Sequence, residues 1–168
     1  GHSHVLPPEL RPPGQARLVA RRLLGKAASR LRRLGFAATE LHVDAKWVDG
    51  RRDGAKCRLA ATDDSFCLLA RMEALWQGLV AKRPTAPVKK VGVVLCGLVP
   101  REAVGGSLLD GLPGYPDGRR TLRLSQALDE LNARYGRDAV SIGVGPGERM
   151  PQSKVAFTRI PDMEEFYE

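Results

Sequence analysis

Residues 39–48, TELHVDAKWV, alternate strictly between apolar Leu41, Val43, Ala45 and Trp47 and polar Glu40, His42, Asp44 and Lys46. A period of two sends the two sets to opposite faces of an extended chain, so the stretch predicts a half-buried strand. DGRRDG at 49–54 has the residues of a hairpin turn. The returning segment, AKCRLAAT at 55–62, alternates again, with Ala55, Cys57, Leu59 and Ala61 inward and Lys56 and Arg58 outward.

The period changes on either side of this hairpin. From Gln15 to Leu34 the apolar positions Ala20, Leu23, Leu24, Ala27, Ala28, Leu31 and Leu34 recur at helical spacing, and Gly35 is a natural stop. Arg17, Arg21, Arg22, Lys26, Arg30 and Arg33 fall on the opposite side of this helix, which reads as a solvated face. TDDS at 62–65 supplies a cap with acidic charge where a helix dipole favours it. A second helix then runs to about Arg83, with Leu68, Leu69, Met72, Leu75, Trp76 and Leu79 on its inner stripe, and Pro84 and Pro87 end it. VKKVGVVLCGL at 88–98 predicts the last strand, with Val91, Val93 and Leu95 inward and Lys90, Gly92 and Val94 outward.

With an extended start at residues 2–6, the order is β-α-β-β-α-β. The expected fold is α+β: a four-stranded antiparallel sheet with two helices on one face and the other face open, plus a C-terminal helical extension. Residues 1–100 form this core. Residues 101–124, rich in Gly and Pro, read as a linker, and 125–168 as the extension. In the extension, SQALDELNARYG predicts a short helix capped by Ser125, AVSIGVG at 139–145 a brief strand, and PDMEEFYE a mobile acidic tail.

Charge narrows the function. The chain holds 27 Lys and Arg against 19 Asp and Glu, a formal +8, which suits a polyanionic partner, most often nucleic acid. Cys57, Cys67 and Cys96 lack metal-binding or disulfide spacing and read as small core residues in a reducing compartment. Without an apolar run long enough to span a bilayer or a visible signal peptide, the expectation is a soluble, intracellular protein with no membrane partner.

Catalytic motifs are missing: no GxSxG, HExxH, P-loop or GxGxxG occurs in a suitable context, and GVGPG at 143–147 has no following Lys-Ser/Thr. Asp63 and Asp64 read as a cap rather than metal ligands, and His42, between Glu40 and Asp44, as part of a wet face. The reading is therefore a non-enzymatic domain with no cofactor and no metal. Lys46, Lys56, Arg58 and Lys90 all project from the open sheet face, where they can track a phosphate backbone without reading sequence. Stacking of bases on a sheet is the weaker reading, because Trp47 falls on the inner face.

The order of elements and several phrases resemble the little finger (polymerase-associated) domain of Y-family translesion DNA polymerases, nearest to the bacterial polymerase IV type. The phrases are GHSHVLPPELR, AASRLRRLGFAATELHVDAKW, TDDSFCLLARMEALW and VKKVGVVLCGLVP, with LSQALDELNARYG resembling the extension of bacterial members. The resemblance covers most of residues 2–145. It implies a non-catalytic domain that grips primer-template DNA during lesion bypass in DNA repair and the SOS response, in cis to a catalytic core, in the bacterial cytoplasm and associated with the nucleoid. It also implies DNA contacts at Lys89 and Lys90, the basic pair of the last strand, at Ser3 and His4 of the first strand, whose backbone amides meet phosphate, and at Gly92, bare enough for close approach. Val94 departs from the family, which often has a basic residue there.

Relatives bind the sliding clamp through a short peptide. GGSLLDGL at 105–112, with Ser107, Leu108, Leu109 and Leu112, is in a plausible loop but lacks the glutamine and the aromatic. The alternative reading is a protein-interaction module of a catalytically degenerate accessory subunit that binds the clamp or other subunits of a lesion-bypass assembly.

Overall fold

A computed structural model of the chain describes residues 1–104, 118–136 and 139–142. The elements are β1 (His2–Val5), α1 (Pro13–Arg33), β2 (Phe36–Trp47), β3 (Arg52–Thr62), α2 (Ser65–Ala81), β4 (Val88–Pro100) and α3 (Gly118–Tyr135), with short 3-10 turns at Pro8–Leu10 and Arg101–Ala103. The strands form one sheet in the order β1-β4-β2-β3, every neighbouring pair antiparallel. The expected α+β order is met.

Local chemistry sets the boundaries. Pro13 opens α1, where its missing N–H costs no helical bond. Gly35, at φ 72°, turns the chain out of α1 in a conformation that side chains resist. Asp64 caps α2 by accepting from the Phe66 amide at 2.9 Å.

The alternating residues of β2 sort as the pattern predicts. Leu41, Val43, Ala45 and Trp47 are each at most 1% exposed and pack with Leu24 and Ala28 of α1, Leu68, Met72 and Trp76 of α2, and Val88, Val91 and Val93 of β4. Trp47 satisfies its indole N–H on Asp53 Oδ2 at 2.7 Å. Leu34 departs from the expected stripe and is half exposed. The cysteines depart too: Cys67 is exposed, and Cys96 lies on the open face, with only Cys57 packed beside the core.

The apolar positions of β4 reveal an irregularity. Val88 and Val91 are both buried although three residues apart, which a regular strand cannot achieve. The register with β2 shifts there: Lys46 faces Lys90, but Trp47 faces Val88. Lys89 is the extra residue of a bulge, and its carbonyl accepts from the Leu6 amide at 2.8 Å.

The extension is held differently from the expectation. α3 begins at Gly118, inside the stretch read as linker, so Ser125 is not a cap but lies in the helix interior. Ser125 is fully buried, donates to Asp64 Oδ1 at 3.0 Å and accepts from the Ser65 amide at 3.1 Å. Thr121 donates to the other Asp64 oxygen at 2.6 Å. Arg32 of α1 forks onto both carboxylate oxygens of Asp129 at 2.6 and 2.9 Å. Ser125 has a cap's chemistry but spends it on the start of another helix. Residues 139–142 form bends rather than a strand; 143–145 and the PDMEEFYE segment lie outside the described residues.

Two predictions follow from this packing. Asp64→Ala removes a cap and the link to two hydroxyls of α3, Thr121 and Ser125, which fall back on the Gly118 and Thr121 carbonyls, and is expected to lower unfolding free energy in urea by about 1–3 kcal/mol, with faster amide exchange in α3. His2 and His4 of β1 are both held below the ordinary histidine pKa of 6.5, chiefly by burial, with the α1 cations Lys26 and Arg30, and Arg22 and Lys26, adding to it. Their unfolded forms bind protons first, so stability is full at neutral pH and falls as pH drops below 6.5 through the lowered folded values. Thermal melts between pH 7.5 and 5 should show this decline, and the double substitution His2→Gln, His4→Gln should flatten it.

Candidate nucleic-acid interface

With both helices on one face, the other sheet face is free of core packing. Register organises it into rows that run across the strands. Lys90 faces Lys46, and Lys46 faces Arg52. Gly92, Asp44 and Gly54 form the next row, then Val94, His42 and Lys56, then Cys96, Glu40 and Arg58. Ser3 of β1 flanks Gly92, and Val5 flanks Lys90.

The Lys90–Lys46–Arg52 row is the distinctive feature. Adjacent strands are spaced by about 4.8 Å, so three cations stand within about 10 Å of one another. Like charges directly opposite in a sheet destabilise it. Among the described residues none of the three makes an ion pair; the carboxylate of Asp44 stands one row away on the same face. Arg52 was missed because it sits in what reads as the turn; extending the alternation of β3 back from Lys56 by four residues places it on the same face.

The far rows are weaker electrostatically. Glu40 lies 3.1 Å from His42 Nε2 and 3.9 Å from Arg58 Nε. The hydrogen bond from His42 holds its carboxyl below the usual carboxylate range, aided by the charges of His42, Lys56 and Arg58. The positive charge of Lys56 and Arg58 is thus partly answered by Glu40, while among the described residues the first row makes no ion pair.

Two expected contacts need correction. Gly92 is buried beneath Asp44, whose carboxylate a Cβ at this position would strike, so the glycine accommodates Asp44 instead of baring the main chain. His4 points its side chain to the helix-covered side, where its Nε2 is buried without a partner. Leu6 bonding to Lys89 fixes the alternation of β1, so the Ser3 amide points away from β4 toward the open edge, while that of His4 points into the sheet. Ser3 is exposed there. Lys89 is exposed at the bulge, one step out of the row. Ser107, Leu108, Leu109 and Leu112 lie outside the described residues.

The profile of the impB/mucB/samB family C-terminal domain matches residues 1–108. The chain belongs to this family. That meets the resemblance to the Y-family little finger domain drawn from the sequence. None of the curated proteins matches the chain. Among solved structures, this family member is similar to the Dbh ternary complex with partially disordered substrates, at 15% identity and a TM-score of 0.47 over 55% of this chain and 27% of that one. It is also similar to the little finger domain of PolIV in its complex with the beta-clamp processivity factor, at 17% identity and a TM-score of 0.46 over 66% of this chain and 96% of that one. The chain therefore spans about a quarter of the length of Dbh.

If the basic row is strained as described, Lys46→Gln should raise the unfolding free energy by about 0.5–1 kcal/mol at low ionic strength, since it relieves two like-charge contacts at once. The gain should shrink in 0.5 M salt, where the Debye length is only a few Å. Melts at both salt concentrations check it.

Proposed function

We propose that this domain is the non-catalytic DNA grip of a Y-family translesion polymerase, and that its open sheet face lies along the backbone of primer-template duplex. The carrying observation is the in-register row Lys90, Lys46 and Arg52. A triple cation that costs the sheet stability is accounted for by a partner that supplies anions, and a phosphate backbone supplies them at regular intervals. Lys56 and Arg58 extend the contact, the exposed Lys89 borders it, and the outward Ser3 amide lies at its edge. The one exposed aromatic of these strands, Phe36, stands at the end of β2 opposite Pro100, ten residues from Lys46, so no aromatic stands among the basic rows and binding is independent of sequence. Polymerisation chemistry belongs, in this reading, to a catalytic core in cis, and the domain acts during lesion bypass in the bacterial cytoplasm.

Fluorescence anisotropy with a labelled primer-template tests this. With three neutralised phosphates the salt slope is about −2.7, so raising salt from 50 to 200 mM should weaken binding roughly 40-fold. Reversing Lys46, Arg52 and Lys90 to Glu should abolish binding at 100 mM salt, whereas reversing Lys56 and Arg58 should weaken it less. Salt-insensitive binding, or equal losses from the two sets, would overturn the assignment of the face.

A further inference from the structure

The sheet has two edges, β1 and β3, and they differ in length. β1 has four residues, too few to template much pairing, whereas β3 has 11. The Trp47 amide donates to the Arg51 carbonyl at 2.9 Å, which fixes the phase of the β2–β3 hairpin. In the register that follows, Asp53, Ala55 and Cys57 bond β2 with their backbone groups. The N–H and C=O groups of Arg52, Gly54, Lys56 and Arg58 therefore point away from the sheet. Among the described residues no partner meets them there.

The side chains along this edge are equally regular. Arg52, Lys56 and Arg58 are exposed cations on the open face. Arg58 is 94% exposed, and its contact with Glu40 is a long one at 3.9 Å. The alternate residues Ala55, Cys57 and Leu59 lie on the helix-covered face, half-buried at the rim of the core where α2 packs on β3. A strand laid beside β3 would meet cations on one face and a half-open apolar rim on the other. Edge cations guard a sheet against pairing with copies of itself, and β3 against a second β3 would bring cations opposite cations. Such a guard has a sign, and it admits a strand of the other sign.

We propose that the free edge of β3, from Arg52 to Arg58, docks an extended segment of a partner protein in which Asp or Glu alternates with aliphatic residues. The segment adds a fifth strand to the sheet and bonds the outward backbone groups of Gly54, Lys56 and Arg58. Its carboxylates stand opposite Arg52, Lys56 and Arg58, one strand spacing of about 4.8 Å away. Its aliphatic side chains extend the rim of Ala55, Cys57 and Leu59. Alternation sets the register, because a slip of one residue would turn the carboxylates onto that rim.

Amide hydrogen exchange of the 168-residue chain, read by NMR, tests the docking without any DNA and so separately from the proposed DNA grip. The probe is the end-blocked peptide Glu-Val-Glu-Val-Glu-Val-Glu at millimolar concentration. It should slow exchange at Lys56 and Arg58 by about fivefold or more, and leave Ala55 and Cys57, already bonded to β2, little changed. A peptide of the same composition with its Glu and Val in separate blocks should slow none of them. In the triple variant Arg52→Glu, Lys56→Glu, Arg58→Glu the first peptide should lose its effect. Lys-Val-Lys-Val-Lys-Val-Lys should gain it there, which an unfolded variant could not show. No slowing, equal slowing by the block peptide, or slowing at Ser3 of β1 in place of β3 would overturn the proposal. Slowing that needs no peptide and grows with protein concentration would assign the edge to a second copy, and would overturn it too.

Discussion

One-sided burial governs this molecule. The sheet has two faces, but α1 and α2 pack on only one of them, and every alternate residue of β2, β3 and β4 is thereby released from core packing. The inner face has to be aliphatic to close around Trp47, Trp76 and Met72. The outer face is constrained mainly by what its side chains do to one another across the strands. That freedom is why a row of three cations can persist there: its cost falls on the sheet's surface electrostatics and leaves the core intact.

The helical side uses charge in another way. At the start of α2, Asp64 and Ser65 gather hydroxyls from α3 while Arg32 reaches across from α1 to Asp129. A single short turn therefore joins three helices through buried or half-buried polar contacts that are each satisfied on both sides. Such contacts fix geometry more than they add stability, because each donor and acceptor gives up water to make them. α3 is consequently part of the domain's helical layer although it follows the sheet in sequence and contributes little to the aliphatic core.

Much of the fold was legible because the hydrophobic period states it directly. The alternation of Leu41, Val43, Ala45 and Trp47 assigned both the strand and its buried face, and the Asp64 cap was legible from residue type and place. What was not legible is what depends on register. That Lys46 stands between Lys90 and Arg52 requires the pairing of three strands, and Arg52 was concealed in a stretch with the composition of a turn. Gly92 misled because an absent side chain signals close approach without saying of what; its neighbour across the strand, Asp44, is the group that approaches. Ser125 misled because a hydroxyl that caps its own helix and one that serves another look the same in sequence. The spacing of Val88 and Val91 did carry a legible sign of the bulge, since no regular strand buries both.

That bulge works as a phase shifter. Ahead of Lys89 the side chain of β4 that enters the core is that of Val88, and beyond it those of Val91 and Val93. Lys90 reaches the open face, and Val91 the core, because one residue has been counted twice against β2. A one-residue deletion at this point would re-register the start of the strand without touching the core beyond it, and would withdraw one member of the cationic row in a single step. Length variation at this position is thus a coarse adjustment of how strongly the sheet face attracts anions, separate from the slower route of exchanging its side chains one at a time.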